Sequence, residues 1–428
     1  MIKTAFIPNF LKIYNIMWQA ALPFLKKNKR LKHSFPKRVT VNHLGKADIW
    51  IQAASAGEAF LAVSLLTCLE PEQKIKILVT ATTSQGLEIL ESGLLKGKIS
   101  SNINYCLEWF PFDIPTTIQS AVIRVNPRVM VLLETEIWPA LLHYLKENNT
   151  KIFIVNARLS NKSARHYQLT KFLWSRLEPD HILAISPSDA KKYGRVFTGS
   201  KITTMPNIKF DLMETDLGDN ARTNDLKSLI SEKLSLSILA SVRRQEEKQV
   251  INILTHLLTE YPSQVVAVFP RHMHRIDAWK KKLTHQGLSF QLRSSLKYPI
   301  TNSINKPGVI LWDIFGELRD AYGLAPTVFV GGSLKPLGGQ NFLEPAAQGT
   351  HVVTGPYLND FAWVGEDIFN QGIVTKCDNW QAVAQTMICQ LNMPMEKSIL
   401  KQKAWNYIQK KQGGTKIACQ MILKEFKA

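Results

Sequence analysis

The sequence predicts an α/β protein built from two doubly wound domains in tandem, and three observations predict it. At 428 residues the chain is too long for one ordinary domain of roughly 100–200 residues. From residue 47 short β-branched runs alternate with apolar-periodic helical stretches, the pattern of a parallel sheet covered on both faces. The alternation then pauses over a polar segment, residues 211–234, and starts again. With 45% hydrophobic residues the chain can bury two cores.

The strands expected in the first half are "ADIWIQA" from residue 47, "KIKILVTAT" (74–82), "RVMVLLE" (128–134), "KIFIVNA" (151–157) and "HILAIS" (181–186). Those of the second half are "LSILASV" (236–242), "QVVAVFP" (264–270), "GVILWD" (308–313), "TVFVGGS" (327–333) and "HVVTG" (351–355). Boundaries follow: 1–38 an apolar and basic leader, 39–205 the first domain, 206–234 a linker, 235–428 the second domain, its last helix a candidate to pack back on the first. Ligands of such sheets bind beyond the carboxyl ends of the strands, so the expected geometry is a cleft between the two domains.

Residues 6–25, "FIPNFLKIYNIMWQAALPFL", carry Lys12 as their single charge, and residues 26–38 follow with seven Lys/Arg and no acid. An apolar stretch beside a basic cluster is how a chain sits on an anionic membrane surface, so a membrane-anchoring helix is expected. The stretch is short for a spanning helix, and Pro8 and Pro23 are expected to interrupt it. A helix packed on the protein itself is the other reading. The net charge of +19 points to a polyanionic partner. No zinc-finger spacing, aromatic RNA-binding motif or Arg-rich arm supports nucleic acid. The five cysteines are scattered without a CxxC, which fits a reducing compartment and no structural zinc.

The unusual residues lie just after strands. Glu58 in "ASAGEAFLA" falls in the first turn of a helix, where the helix dipole favours an ionised carboxylate; it either complements the dipole or serves as a general base. Glu134 and Glu136 follow a buried strand, and alternation sends them to opposite faces. One is free to face a site while the other anchors a loop, and proximity would raise the pKa of one of them. Arg158, Lys162 and Arg165 in "NARLSNKSARHY" form either an anionic-acceptor site or a solvated basic face. Lys209 in "MPNIKFD" either balances charge on a leaving group or is a surface lysine. In "FPRHMHR" the spacing of His272 and His274 gives no shared helix face for a metal, and Arg271 is the better phosphate or base contact. In "GGSLKPLGGQNFLEPAAQG" (331–349), Gly338-Gly339 let backbone amides approach a ligand, and Asn341 caps a helix whose start would hold an anion. Glu344 is placed to accept hydrogen bonds from ribose hydroxyls. The loop is not a G-x-G-x-x-G fingerprint, which argues against a dehydrogenase.

Taken together, "SAGE" (55–58), "PFDIP" (111–115), "ETEIWP" (134–139), "NARLSNKSARHY" (156–167), "NIKFD" (207–211), "PRH" (270–272), "GELRDAY" (316–322) and residues 329–356 resemble, in order, the GT-B Kdo transferases of lipopolysaccharide assembly. That family moves 3-deoxy-D-manno-octulosonic acid (Kdo) from CMP-Kdo to a lipid A precursor. The resemblance implies two Rossmann-like domains facing across a cleft, the first binding the acceptor and the second CMP-Kdo. It implies Glu58 as general base and Glu134 and Lys209 as transition-state stabilisers. It further implies CMP contacts at Pro270, Arg271, Phe315, Gly316, Glu317, Asn341, Phe342, Leu343 and Glu344. Arg158 and Arg165 are the acceptor-binding candidates. The reaction implied is inverting, with no metal or other cofactor. The implied partners are CMP-Kdo, a lipid A precursor and an anionic membrane, with no nucleic acid, at the cytoplasmic face of a Gram-negative inner membrane. The chain departs from the family pattern at Gln52, at Arg243-Arg244 where the family has a histidine, and at Leu337 and Gln340 where it has an arginine and a histidine; these departures are expected around the donor site. They keep open a non-catalytic lipid A-binding protein, and the fold keeps open a UDP-sugar transferase or epimerase.

Overall fold

The computed structural model describes residues 6–28, 31–213, 225–226, 236–262, 264–296, 308–393 and 395–427. The chain divides into two compact units. The first is Met1–Leu212 together with Lys411–Ala428, and the second is Met213–Lys410. Most of the segment read from sequence as a linker, and Lys29 and Arg30 of the basic cluster, lie outside the described residues.

The first unit holds a seven-stranded parallel sheet. Its strands are β1 (Ile49–Ala53), β2 (Ile75–Ala81), β3 (Ile103–Trp109), β4 (Val129–Leu133), β5 (Lys151–Ala157), β6 (His181–Ala184) and β7 (Lys201–Thr204). The order β3-β2-β1-β4-β5-β6-β7 reverses direction between β1 and β4. A crevice forms at the carboxyl ends of these two strands, because the connections leaving them go to opposite sides. Both sheet faces are covered. Ile49, Ile51, Val129 and Val131 face one core and Trp50, Met130 and Leu132 the other, the alternation a doubly covered strand requires.

The C-terminal helix Gly414–Lys427 completes the first core with Ala418, Cys419, Ile422 and Phe426. Asp211 fixes its start by accepting from Gly413 N, Thr415 N and Thr415 Oγ1, each at 2.6 Å.

The N-terminal helix Phe6–Lys27 forms, with Pro8 in its first turn, where a missing N–H costs nothing, and Pro23 inside it. The prolines do not interrupt it. Ile7 and Leu11 are buried on the first unit, and Phe6, Phe10 and Tyr14 pack beside them. Tyr14 Oη donates to Asp113 at 3.1 Å, and Asp113 also accepts from Ala140 N and Leu141 N at the start of the Pro139–Glu147 helix. Among the described residues no helix is long and apolar enough to cross a membrane, so the expected membrane-anchoring helix is not supported as a span. The helix has length enough at 22 residues, but Asn9, Lys12, Asn15 and Gln19 interrupt its apolar surface. Arg38 also leaves the expected basic surface: it is buried, with Nε on the Phe110 carbonyl at 2.9 Å and its guanidinium over the Phe112 ring.

The second unit holds another seven-stranded parallel sheet, in the order β10-β11-β9-β8-β12-β13-β14. Its strands are β8 (Leu236–Val242), β9 (Val265–Pro270), β10 (Phe290–Leu292), β11 (Val309–Leu311), β12 (Thr327–Val330), β13 (His351–Thr354) and β14 (Val374–Lys376). Here the reversal falls between β8 and β12.

Candidate functional site

In the first unit the residues after β1 and β4 meet at the reversal. Ser55 caps the Ala56–Cys68 helix by accepting from Glu58 N at 3.3 Å, and Glu58 answers by accepting from Ser55 Oγ at 3.1 Å and Ala54 N at 2.6 Å. These bonds hold a buried carboxyl group at the start of the helix that follows β1. Burial pushes its pKa up to about 7 against the Ala54 hydrogen bond, and the charges of Glu136 and Glu134 add to the rise. The helix dipole favours the ionised form, and desolvation here outweighs it.

Glu134 ends β4 with φ +54°, an uncommon conformation for a residue with a side chain. Its carboxylate accepts from Lys209 Nζ at 2.6 Å and Arg158 Nε at 3.1 Å. Lys209 is positioned by a relay: Asn156 Oδ1 takes Ile208 N at 2.9 Å, and Asn207 Oδ1 takes Lys209 N at 2.9 Å. Glu136 points elsewhere and accepts from Trp138 Nε1 at 2.7 Å, and burial raises its pKa. Arg158 is thus tied to Glu134, while Arg165 is exposed on the Asn161–Leu169 helix and is not brought into the cluster.

Gln52 belongs to the first unit. It is buried in β1, between Thr80 and Thr82 side chains, in a chain of hydrogen bonds that starts at Trp50 Nε1.

In the second unit the loop after β12 is organised by a residue that sequence reading missed. Glu246 is fully buried and accepts four backbone N–H groups: Oε1 takes Arg243 N at 2.9 Å and Gly332 N, and Oε2 takes Ser333 N and Leu334 N at 3.2 Å each. Its one sequence signal is a Glu-Glu pair opening a helix, which reads as ordinary dipole complementation. The loop's glycines answer to packing. Gly338 (φ +89°) and Gly339 (φ +84°) lie where a Cβ would strike the Asp360 carboxylate and, at 2.8 Å, Leu358 Cδ2. Both glycines therefore let the loop close against the Asn359–Val364 turn.

The helix after the loop, Leu343–Ala347, has five residues, too few for much dipole. Asn341 bridges its start, accepting from Leu343 N at 3.1 Å and donating to Glu344 Oε1 at 2.7 Å. Burial raises the Glu344 pKa, and Asn341, Arg319 and Arg271 oppose the rise. Phe342 and Leu343 are core side chains, Phe342 packing on Phe361 and Phe369. Pro270 closes β9 and is buried, and Arg271 beyond it is exposed. Phe315 is 82% exposed beside Gly316 (φ +93°). Glu317 is occupied by the protein: it accepts from Trp312 Nε1 at 2.9 Å and Arg293 Nη2 at 3.1 Å. Among the described residues no three His, Cys, Asp or Glu side chains gather as a metal site would require.

The family profile described as 3-Deoxy-D-manno-octulosonic-acid transferase (kdotransferase) matches residues 25–212. A 3-deoxy-D-manno-octulosonic acid transferase from Haemophilus influenzae is 32% identical over 320 residues, which cover 73% of this chain and 71% of that protein. The chain belongs to the 3-deoxy-D-manno-octulosonic acid transferase family. A bifunctional glycosyltransferase/methyltransferase from Fusobacterium nucleatum is 27% identical over 86% of this chain, which spans only 57% of that longer protein. A glycosyltransferase from Rickettsia africae superposes on 90% of this Kdo-transferase-family chain and all of its own, with a TM-score of 0.58 at 10% identity. UDP-GlcNAc 2-epimerase from Neisseria meningitidis gives a TM-score of 0.57 at 13% identity, over 88% and 99% of the two chains. These likenesses establish the fold, two parallel-sheet α/β domains of the GT-B kind.

Proposed function

We propose that this family member transfers Kdo from CMP-Kdo to a glucosamine hydroxyl of the lipid A precursor lipid IVA, in lipopolysaccharide core assembly. The transfer inverts the anomeric centre and uses no divalent metal. The observation that carries the reading is Glu58, a buried carboxyl group at the first unit's strand reversal with a pKa of about 7. A sugar hydroxyl is a weak nucleophile and needs a base whose proton affinity lies near the working pH. Lys209, held on Glu134, supplies a fixed cation for charge that develops in the transition state. In the second unit Arg271 serves the donor phosphate, Glu344 the ribose hydroxyls, and the exposed Phe315 ring offers a face to the base. Glu317 acts on the donor through the position of its neighbours, since Arg293 and Trp312 hold its carboxylate. The +19 charge and the outward side of the Phe6–Lys27 helix support work on an anionic bilayer at its cytoplasmic face.

The test is mass spectrometry of lipid IVA incubated with the purified protein and CMP-Kdo. The expected product carries added Kdo, and Glu58→Gln forms none while still binding CMP. Thermal protection should be larger with CMP than with UDP. An unmodified lipid together with equal protection by UDP would overturn the reading.

A further inference from the structure

The second unit treats its arginines in two ways. Arg275 is neutralised by Glu247 through two hydrogen bonds of 2.9 Å, and Arg293 donates to Glu317 at 3.1 Å. Neither Arg243 nor Arg271 forms an ion pair with a carboxylate among the described residues, although the Arg271 charge acts on Glu344. Both stand at carboxyl ends of strands, Arg243 after β8 and Arg271 after β9, and Arg271 N is bonded to the Val242 carbonyl at 2.8 Å. Arg243 therefore sits beside the reversal between β8 and β12, where a doubly wound sheet takes its ligand.

The local backbone is specialised as well. Ser241 holds φ +52° and the β8–β9 register shifts there, which re-aims the residues that follow. Arg243 is half-buried and reaches across to the glycine loop, with Nη1 on the Leu337 carbonyl at 3.3 Å. One of its five N–H donors is thereby used, and the guanidinium keeps its charge. The charges of Arg243 and Arg271 both act on His272, so the two cations face a common region. Two cations that act on one side chain, neither of them in an ion pair among the described residues, make a place that an anion would favour.

We propose that Arg243 is a donor-specificity residue that clamps the anionic part of the sugar nucleotide, together with Arg271, from the tip of β8. This rests on the proposed use of an anionic sugar nucleotide and names a further residue for it. The anion has two possible sources on such a donor, the nucleotide phosphate and the sugar carboxylate, and both suit a guanidinium fork.

The experiment compares wild type, Arg243→Ala and Arg243→Gln, with CMP binding by calorimetry and KM for CMP-Kdo from turnover. Arg243→Gln retains an N–H for the Leu337 carbonyl but not the charge, so it rescues a purely structural tether and leaves an anion contact broken. The expected result is a loss of roughly 10- to 100-fold in donor affinity for both variants, with kcat changed much less. Parallel loss of CMP binding assigns the phosphate; loss confined to CMP-Kdo assigns the carboxylate. Unchanged donor KM in Arg243→Ala, or full rescue by Arg243→Gln, overturns the proposal. Wild type that binds no CMP overturns instead the donor reading on which it rests.

Discussion

A carboxyl group whose pKa lies near neutrality titrates in the range where the enzyme works, and Glu58 is such a group. The folded protein holds the Glu58 proton more tightly than the unfolded chain, where the group returns to about 4.5. Its contribution to stability is therefore best at low pH and is lost as pH rises from about 4.5 through about 7. As the proposed base Glu58 must be ionised, so kcat should run the other way and climb with pH around a midpoint near 7. Glu58→Gln separates the two. It keeps an oxygen for Ala54 N and a donor for Ser55, so it should raise Tm by about 2–4 °C near pH 8 and by little near pH 4.5. Its turnover should fall at least ~100-fold. Calorimetric scans and initial rates across pH check both, and a variant less stable than wild type near pH 8 would show that the carboxyl is held as an ion. The Glu134 cluster makes a second residue-scale prediction. Lys209→Met should destabilise more than Arg158→Met, because the Lys209 contact is shorter, 2.6 against 3.1 Å, and the lysine is the less exposed, 25% against 39%. Thermal melts of the two variants rank them, and the opposite order would refute it.

Elements show why sequence reading succeeds in some places and not in others. All ten strands expected from apolar runs are present, and the four it missed, β3, β7, β10 and β14, are the four sheet edges. A central strand is buried on both faces and both sides, so its residues read as a continuous apolar run. "INYCLEW" in β3 and "KITT" in β7 are partly exposed and pair on one side, which leaves polar residues tolerable and the signal weak. The same physics hid Glu246. A carboxylate that serves four backbone N–H groups needs no periodicity and no partner side chain, so nothing in the one-dimensional pattern announces it. Glu134 directly follows β4, and Glu58 and Lys209 fall in the first turns of the helices after β1 and β7, where a sequence reading looks for unusual residues. Glu246→Gln should leave far-UV circular dichroism intact and erase the thermal shift given by CMP, because an amide offers one acceptor oxygen where the loop needs two. A CMP shift equal to wild type would mean that the loop holds its shape without the carboxylate.

At the scale of the whole molecule the charge of +19 and the Phe6–Lys27 helix belong to one argument. The helix spends one side on the first unit through Ile7, Leu11 and Tyr14, so its docking is settled by the fold and not by a membrane. The other side leaves Ile13, Ile16 and Met17 more than 60% exposed and Phe24 78% exposed, next to Lys26 and Lys27. Four large apolar side chains in water beside a basic run are unfavourable for a protein that works in solution, and favourable for one that lies on an anionic bilayer. Each side chain that enters the interface is worth at most about 1.5–3 kcal/mol, and each basic residue near the surface adds about 1. Neither contribution alone gives firm attachment, and together they should. Replacing Ile13, Ile16 and Met17 by serine should therefore leave Tm nearly unchanged and reduce sedimentation with phosphatidylglycerol vesicles by ten-fold or more, roughly. Raising salt should weaken what binding remains, because only the electrostatic part is left. Vesicle binding that survives all three substitutions would place the attachment on another face of the protein.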